Sequence, residues 1–147
     1  MNEYTHILVA VDLTEDSRVL ATKASVLQKA YSAKLSCVHV IEPLSLTYGG
    51  DVPLDPLDLS TVQEQIQETA KIQLQEFAME LEIDSENQHL MFGRPETEID
   101  SLANQILADL IVVGSHGRHG IALLLGSTAN GVLRGAPCDV LAVRVGE

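Results

Sequence analysis

The sequence predicts an α/β protein: a three-layer, doubly wound domain built on a five-stranded parallel sheet. Five short apolar segments, which we interpret as strands, alternate along the chain with segments of helical periodicity. The strand segments are continuously apolar, as expected of parallel strands covered by helices on both faces. With 147 residues, 46% of them hydrophobic, the chain has the size of one domain with a full core, residues 1–147.

The first strand, first helix and second strand are predicted at residues 5–12, 17–32 and 35–41. Both strand segments are rich in Ile, Leu and Val. The helix carries apolar side chains at three- and four-residue spacing, with Arg and Lys on its other face. The second strand stops before Pro43, because proline cannot continue a strand ladder.

A long loop and a long helix are predicted next. Pro43 to Leu59 combines three prolines, a Gly-Gly pair and scattered aspartates, which predicts a surface loop. Ser60 and Gln63 have the form of a capping box at a helix start. From Val62 to Leu81 the apolar residues then mark one continuous helical face.

The remaining strands are predicted at residues 88–92, 109–114 and 140–145, and the remaining helices at residues 95–106 and 127–135. Pro95, followed by Glu96 and Glu98, is typical of a first helical turn. Gly135, with a proline two residues later, is typical of a helix end.

Right-handed crossovers leave two common orders for five parallel strands, and we predict the order 3-2-1-4-5. This order has a switch point between the first and fourth strands, and such sheets bind ligands beside that point, at the carboxyl ends of the strands. Asp12 and Gly114 are therefore expected on opposite sides of one crevice.

The composition excludes several classes of function. With 9 Lys and Arg against 21 Asp and Glu, the net charge of -12 argues against a nucleic-acid partner. Residues 42–109 hold most of the acids, so an anion site is expected outside them. No apolar run is long enough to span a membrane, and Met1-Asn2-Glu3 does not open a signal peptide, so we expect a cytoplasmic protein. Cys37 and Cys138 lack metal-ligand spacing and are expected as reduced core residues.

The crevice lacks three familiar kinds of chemistry. The first turn, residues 11–15, has neither a Walker loop nor a dinucleotide fingerprint. It also lacks the acidic cluster of a phospho-accepting receiver domain and the Ser-Gly-Gly loop of ATP pyrophosphatases. What remains is the segment from Gly114 to Thr128, in which glycines expose backbone N–H groups and a helix N-terminus favours negative charge. This segment predicts a phosphate cradle.

These residues resemble the universal stress protein family over essentially the whole chain. The resemblance rests on the segment Ile7-Leu8-Val9-Ala10-Val11-Asp12, on His39-Val40, on Gly114-Ser115-His116-Gly117 and on Gly126-Ser127. The nucleotide-binding branch of that family has the pattern Gly-x2-Gly-x9-Gly-(Ser/Thr). The resemblance implies an adenine-nucleotide-hydrolase-like fold and a dimeric, cytoplasmic stress-response protein that binds ATP, with Mg2+ or Mn2+ at the phosphates, and has no established catalytic reaction.

The resemblance also implies a set of binding residues. Those expected at the adenine and ribose are Ala10, Val11, Asp12 and Val40. Those expected along the ribose and phosphates are Val113, Gly114, His116, Gly117, Gly126, Ser127 and Thr128. One departure stands against this set: Arg118 to Leu125 is an eight-residue spacer where the family has nine. A tighter turn absorbs the difference, or else Gly126 and Ser127 are moved off the phosphates.

Several of these residues have a structural alternative. Asp12 and Ser127 are each suited to capping the helix that follows them. His39 lies in a strand, where a histidine is more often hydrogen-bonded than a ligand. His116 and His119 have no third ligand in view, so no metal site is expected.

Two functions remain open at this point. In the first, ATP occupies the crevice and biases the state of a dimer; in the second, the crevice is empty and the dimer acts through its surface as a structural or interaction protein. No nucleophile–base pair, carboxylate dyad or metal cluster can be assembled, so no enzyme is expected. Slow ATP hydrolysis or autophosphorylation on Ser or Thr near the cradle stays open. The last strand, Val140 to Val145, is an apolar edge, and we expect a homodimer through it.

Overall fold

The computed structural model describes residues 3–43, 56–115 and 126–145. Their strands are β1 (His6–Ala10), β2 (Lys34–Ile41), β3 (Gln88–Phe92), β4 (Leu110–Gly114) and β5 (Asp139–Val143). Their helices are α1 (Ser17–Tyr31), α2 (Pro56–Glu80), α3 (Pro95–Gln105) and α4 (Ser127–Gly135), with a short 3-10 turn at Ser85–Asn87.

The five strands form one parallel sheet in the order β3-β2-β1-β4-β5. The predicted order is confirmed. In β1, Ile7 pairs with Leu35 of β2 on one side and with Leu110 of β4 on the other. The chain therefore reverses its direction of winding between β1 and β4, and the carboxyl ends of these two strands lie side by side.

Two apolar clusters lie on opposite faces of the sheet. Ile7 and Val9 of β1 belong to the cluster with α1 and α2, whereas Leu8 and Ala10 belong to the cluster with α3 and α4. Because successive strand residues point to opposite faces, β1 must be apolar throughout to fill both clusters. Ile7, Leu8 and Val9 are completely buried, which confirms the three-layer prediction.

Helix α2 differs from the prediction in where it begins and in how much of its apolar face is buried. It begins at Pro56 rather than at Ser60, because proline is well suited to the first helical position. The end of the predicted loop thus belongs to the helix, while residues 44–55 lie outside the described residues. The apolar face is continuous in sequence, but Val62 is 43% exposed and Ile66 38% exposed. Packing on the sheet starts only at Ala70.

Smaller differences affect the strand ends. Strand β1 ends at Ala10 rather than at residue 12, and β5 covers Asp139–Val143 rather than residues 140–145. The register of β5 explains its limits, since its five residues pair one for one with β4 from Leu110 to Gly114.

Three helices end at a non-glycine residue in the left-handed conformation. These residues are Ser32, Glu82 and Leu107, with φ of 54°, 56° and 58°. In each case the next amide returns to a carbonyl of the last helical turn; the Ala33 amide, for example, donates to Gln28. These bonds satisfy helix-end carbonyls without the glycine that usually occupies such a position.

A polar network joins the amino ends of β1, β2 and β4. The Asp109 carboxylate accepts hydrogen bonds from the Thr5 amide and hydroxyl and from the His6 amide, at 2.8, 2.9 and 3.0 Å. Desolvation by itself would raise the pKa of Asp109, but these hydrogen bonds outweigh it and hold the pKa below its ordinary value. The His6 ring lies between the Ile106 carbonyl and the Ser36 hydroxyl.

The cysteines and the helix lengths bear on the remaining structural predictions. Cys37 is buried in the core, Cys138 is half-buried, and both are free thiols. None of the helices among the described residues combines the length and the apolar character that crossing a bilayer requires.

Candidate functional site

The predicted adenine-binding residues lie where β1, β2 and β4 end. Ala10, Val40 and Val113 are buried in the same apolar cluster, on the face of the sheet that α3 and α4 cover. Val11 is also buried but belongs to the opposite cluster. Gly114 is the last residue of β4 and is half-buried. Ala10, Val40 and Val113 therefore lie together on one face of the sheet, and Val11 lies on the opposite face.

Asp12 is exposed just beyond β1. Its Oδ1 accepts hydrogen bonds from the Thr14 amide at 3.1 Å and from the Thr14 hydroxyl at 2.8 Å, which makes an Asx turn. The residue that precedes α1 is Asp16, and no side chain caps that helix end. The alternative in which Asp12 caps the following helix is therefore wrong, and its second carboxylate oxygen faces outward from the turn without a partner among the described residues.

Leu13 holds the turn in an uncommon backbone conformation. Its φ is 61°, a value that bulky residues seldom adopt and that occurs preferentially at functional sites. The Leu13 side chain packs against the α1–α2 cluster, so burial of this side chain offsets the backbone strain. Asp12 is thereby presented at the carboxyl edge of β1.

His39 is tied to the same edge. Its Nδ1 lies 2.8 Å from the carbonyl oxygen of Val11, so the ring bridges β2 and the residue after β1. This contact confirms the interpretation of His39 as a hydrogen-bonded crevice residue. With Nδ1 donating to a carbonyl, the neutral ring keeps its other nitrogen as an acceptor.

Hydrogen bonds of Ser115, the residue after β4, hold the start of α4 close to the end of that strand. The Gly126 amide donates to the Ser115 carbonyl, and the Ser115 amide donates to the Val143 carbonyl at 2.8 Å. The Ser115 hydroxyl accepts from the Val145 amide at 3.4 Å. The start of α4 therefore lies against the carboxyl end of β4 even though the spacer, Arg118 to Leu125, is one residue short of the family pattern. His116, Gly117 and that spacer lie outside the described residues.

The N-terminus of α4 is not capped by a side chain. Its N-cap is Gly126, which is buried and extended, with φ of -61° and ψ of 160°. Ser127 is exposed and Thr128 half-buried in the first turn, so the alternative of Ser127 as N-cap is wrong: Ser127 is the first helical residue. Because the N-cap is a glycine, no side chain at that position accepts from the first-turn N–H groups.

A groove next to this helix start contains a cation that sequence analysis missed. It has a volume of about 380 Å³ and is lined by Glu42, Arg94, Pro95, Glu96, Ser127 and Gly131. Arg94 lies just after β3. Because the strands are parallel, it lies at the same edge of the sheet as the other turns from a strand to a helix. That rule was the available signal, but the expectation of an anion site outside residues 42–109 excluded Arg94 from consideration.

The family of the chain follows from comparison with known proteins. A model of the universal stress protein family matches residues 3–144. The chain belongs to the universal stress protein family. This universal stress protein is 44% identical to universal stress protein A homolog 2 of Coxiella burnetii, over 99% of this chain and 98% of that one. It is 39% identical to homolog 1 of the same organism, over 98% and 99%.

The fold also matches solved universal stress proteins. One neighbour is a universal stress protein whose crystal structure is a complex with cAMP, with a TM-score of 0.66 and 24% identity over 96% of this chain and 97% of that one. Identity at this level shows the shared fold. The adenine-nucleotide-hydrolase-like architecture expected of the universal stress protein is thus confirmed.

Proposed function

We propose that this universal stress protein binds ATP at the carboxyl edge of β1 and β4 and acts as a nucleotide-responsive regulatory homodimer in the cytoplasm. The observation that carries the proposal is the hydrogen bond from the Gly126 amide to the Ser115 carbonyl. It places a glycine-led helix start next to the end of β4, which is the arrangement that a phosphate cradle requires.

The start of α4 supplies the anion-binding character. Its first-turn N–H groups have no side-chain cap, and the helix dipole gives this end a partial positive charge. The Ser127 and Thr128 hydroxyls add donors at the same place. Arg94 lines the same groove as Ser127 and offers a positive charge there, opposed by the carboxylates of Glu42 and Glu96.

The adenosine part of the ligand fits the adjoining surface. Ala10, Val40 and Val113 are buried near the carboxyl ends of β1, β2 and β4, and Asp12 follows β1 with one carboxylate oxygen engaged by Thr14. The other oxygen is suited to accept a hydrogen bond from a ribose hydroxyl or an exocyclic amine. An apolar wall with a few placed polar groups is the usual composition of a small-ligand site.

The residues at the edge fit a divalent cation that the phosphates carry with them. Mg2+ is commonly bound by one or two carboxylates together with substrate phosphates. The carboxylates near this edge are Asp12, after β1, and Glu42 and Glu96, which line the groove at Ser127. Among the described residues, no group of three or more His, Cys, Asp or Glu is arranged to hold a metal alone. Mg2+ or Mn2+ would neutralise phosphate charge here.

We propose a binding role rather than an enzymatic one. Attack on a phosphate needs a base that positions a nucleophile. Glu42 and Glu96 line the groove together with Arg94. The other candidate groups at this edge are already engaged: Asp12 Oδ1 accepts from Thr14, and His39 Nδ1 contacts the Val11 carbonyl. These contacts suit Asp12 and His39 to orienting a ligand rather than to removing a proton.

Calorimetric titration with Mg2+ and ATP, AMP or cAMP tests the proposal. We expect ATP to bind with a dissociation constant of roughly micromolar order and more tightly than AMP or cAMP, because the α4 start contacts the distal phosphates. Ser127→Glu puts a negative charge at the helix start and should weaken ATP binding about tenfold or more. Asn130→Glu, exposed one turn later, is the matched control and should change it much less.

Two results would contradict the proposal. One is the absence of binding heat together with the absence of nucleotide released on denaturing the purified protein. The other is equal weakening by Ser127→Glu and Asn130→Glu, which would mean that net charge rather than the helix start governs binding. A preference for cAMP over ATP would move the ligand class from triphosphates to cyclic monophosphates.

A second candidate function is an interaction dimer that works without nucleotide. The observation that favours it is a shallow, largely apolar groove of about 560 Å³ lined by Tyr4, Leu27, Leu110, Leu133, Cys138, Asp139, Val140 and Leu141. This groove follows the outer strand β5 and includes Leu110 and Asp139, the first residues of β4 and β5, whereas the phosphate-binding turn lies at the carboxyl edge of the sheet. It is larger than the groove at Ser127, and it suits protein contact at a sheet edge.

A further inference from the structure

Helices α3 and α4 pack side by side through an unusual pair of surfaces. Glu96 and Asp100, one turn apart on α3, face Gly131 and Gly135, one turn apart on α4. A Cβ added at Gly131 would lie 2.6 Å from the Glu96 Cβ, and one at Gly135 would lie 2.7 Å from the Asp100 Oδ2. Two acidic side chains therefore rest directly on the backbone of α4. We call this contact the α3–α4 seam.

Asp100 is poorly compensated in the seam. Its Oδ1 is buried and has no hydrogen-bond partner within residues 3–43, 56–115 and 126–145, which is costly for a charged oxygen. Burial, reinforced by the charge of Glu96, raises the pKa of Asp100 to about 6. Asp100 also lies beside Gly135, the last residue of α4, where helix-end carbonyls carry partial negative charge. A protonated carboxyl can donate to such carbonyls, whereas a carboxylate is repelled by them.

The other groups around Asp100 do not neutralise it. From α4 the nearest charged residue in sequence is Arg134, which is exposed. The segment after α4 contributes Cys138, whose pKa is raised to about 11 by burial and then by Asp109, Asp139 and Asp100. The sheet strands under α3 contribute apolar side chains and one half-buried histidine: Val38, Val40, Met91 and His89. Burial lowers the pKa of His89, which favours its neutral form.

The seam is continuous with the candidate nucleotide site. Glu96 and Gly131, at one end of the seam, line the same groove as Ser127. Ser127 is the first residue of α4, so any shift of α4 along α3 also moves the phosphate-binding turn. At the other end of the seam, Asp100, in the middle of α3, faces Gly135, the last residue of α4.

We propose that the α3–α4 seam is a proton-operated clamp on the nucleotide site. An uncharged Asp100 seats α4 on α3 and fixes the turn from Gly126 to Thr128 for the phosphates. A charged Asp100 weakens the contact and lowers nucleotide affinity. The part of this inference that concerns affinity rests on the proposed function, whereas the part that concerns the seam does not.

The sign of the pH dependence follows from linkage. An acid whose pKa is higher in the folded protein than in the unfolded chain binds more protons when folded, so it reduces stability as the pH rises from about 4 to about 6. His6 and Asp109 act in the opposite direction, because folding lowers the pKa of both. The difference between a variant at Asp100 and the wild type isolates the contribution of this residue.

The test uses Asp100→Asn, which keeps the shape and removes the charge. In the absence of ligand, its Tm should exceed that of the wild type near pH 7.5, and the difference should shrink as the pH falls and be close to zero near pH 4. ATP affinity should be about fivefold higher than that of the wild type near pH 7.5, with a ratio near one at pH 5. The terminal phosphate of ATP itself titrates in this range, so the ratio at each pH is the informative quantity. Glu98→Gln on the same helix is the matched control and should give a constant ratio.

The outcomes separate the inference from the proposed function. If ATP binds but the affinity ratio does not change with pH, the clamp is overturned and the nucleotide site stands. If Tm values converge as expected but no protein binds ATP at either pH, the seam stands, and both the nucleotide site and its regulation are overturned. A constant Tm difference overturns the seam. Glu96→Gln, which removes the neighbouring charge, should produce a smaller change in Tm in the same direction, measured without ligand because Glu96 also lines the nucleotide groove.

Discussion

The backbone N–H of Gly126 donates a hydrogen bond to the carbonyl oxygen of Ser115, across the two ends of the segment that separates β4 from α4. Ser115 is itself bound to the last strand through the Val143 carbonyl and to the Val145 amide. Backbone hydrogen bonds at one residue therefore hold the start of α4 to the sheet.

Replacing Gly126 by proline tests this attachment. Gly126 has a φ of -61°, which proline adopts without strain, so Gly126→Pro removes the donor and keeps the local φ. We expect the free energy of unfolding to fall by about 1 kcal/mol, as measured by chemical denaturation. ATP affinity should fall about tenfold, because the phosphate-binding turn is then poorly fixed.

Gly126→Ala is the control for that substitution, since alanine also tolerates this φ and keeps its N–H. We expect it to retain most of the ATP affinity that proline loses. Equal losses in both variants would mean that the small size of glycine, and not its hydrogen bond, fixes the helix start.

Most of the fold could be predicted from local pattern. The strand at Gln88–Phe92 and the helix start at Pro95 agree with the prediction residue for residue, because apolar content and proline act locally. The start of α2 did not agree, since the apolar face that predicted it begins at Val62, several residues after Pro56. The exposure of Val62 could not be predicted either: periodicity gives the face of a helix but not how far the sheet beneath it extends.

Some residues of the candidate site could likewise be predicted from the sequence, and others could not. Gly126 and Ser127 follow from a motif that is continuous in sequence. Arg94 and Asp100 do not, because their surroundings come from α4, which lies more than twenty residues later in the chain. A contact such as that between Asp100 and Gly135 depends on how two helices are placed on one sheet, and a single sequence carries no local sign of it.

The two glycines of α4 should respond differently to alanine. In Gly131→Ala the new Cβ would lie 2.6 Å from the Glu96 Cβ and 2.8 Å from its Cγ, and neither atom can move far because both are close to the backbone. We expect a loss of about 1–3 kcal/mol in the free energy of unfolding, despite a gain of about 1 kcal/mol in helix propensity. Urea denaturation measures the change.

Gly135→Ala is the comparison. Its Cβ would meet only the Asp100 Oδ2, at 2.7 Å, and this atom is the end of a side chain that can rotate away. We expect it to destabilise the protein less than Gly131→Ala does. The reverse ranking would show that the seam is rigid at Asp100 rather than at Glu96.

The buried His6 should make the protein sensitive to acid. Its Nε2 lies 2.7 Å from the Ser36 hydroxyl and its Nδ1 3.0 Å from the Ile106 carbonyl, so the neutral ring donates at one nitrogen and accepts at the other. Desolvation lowers its pKa from 6.5, and stability is therefore lost as the pH falls below about 6.5. Denaturation of the wild type and of His6→Gln between pH 7 and 5 should show a smaller loss in the variant.

Ser36→Ala separates the hydrogen bond from the titration. It leaves Nε2 buried without a donor, which should cost about 1–2 kcal/mol at pH 7. Because the neutral ring has then lost the partner that favours it, the difference from wild type should shrink at pH 5. A difference that grows in acid would contradict the assignment of Ser36 as the donor.

Strand β5 is the edge through which we predict the homodimer. It pairs with β4 on one side, and Ala142 lies exposed near its middle. Light scattering at micromolar concentration should give twice the 15.9 kDa of one chain. Ala142→Lys places a charge on this edge, a device by which natural proteins prevent strand pairing, and it should shift the measured mass to that of a monomer.

Phe92→Lys is the control on the opposite edge of the sheet. Phe92 is the last residue of β3 and is 48% exposed, so a lysine there tests whether an exposed apolar residue at any edge supports association. We expect Phe92→Lys to remain dimeric, because the apolar groove lined by Leu133 and Leu141 runs along β5 and not along β3. A monomeric wild type would exclude the dimer altogether. Loss of the dimer in Phe92→Lys alone would move the interface to β3, where pairing of two chains would lie beside Arg94 and close the nucleotide groove from the other side.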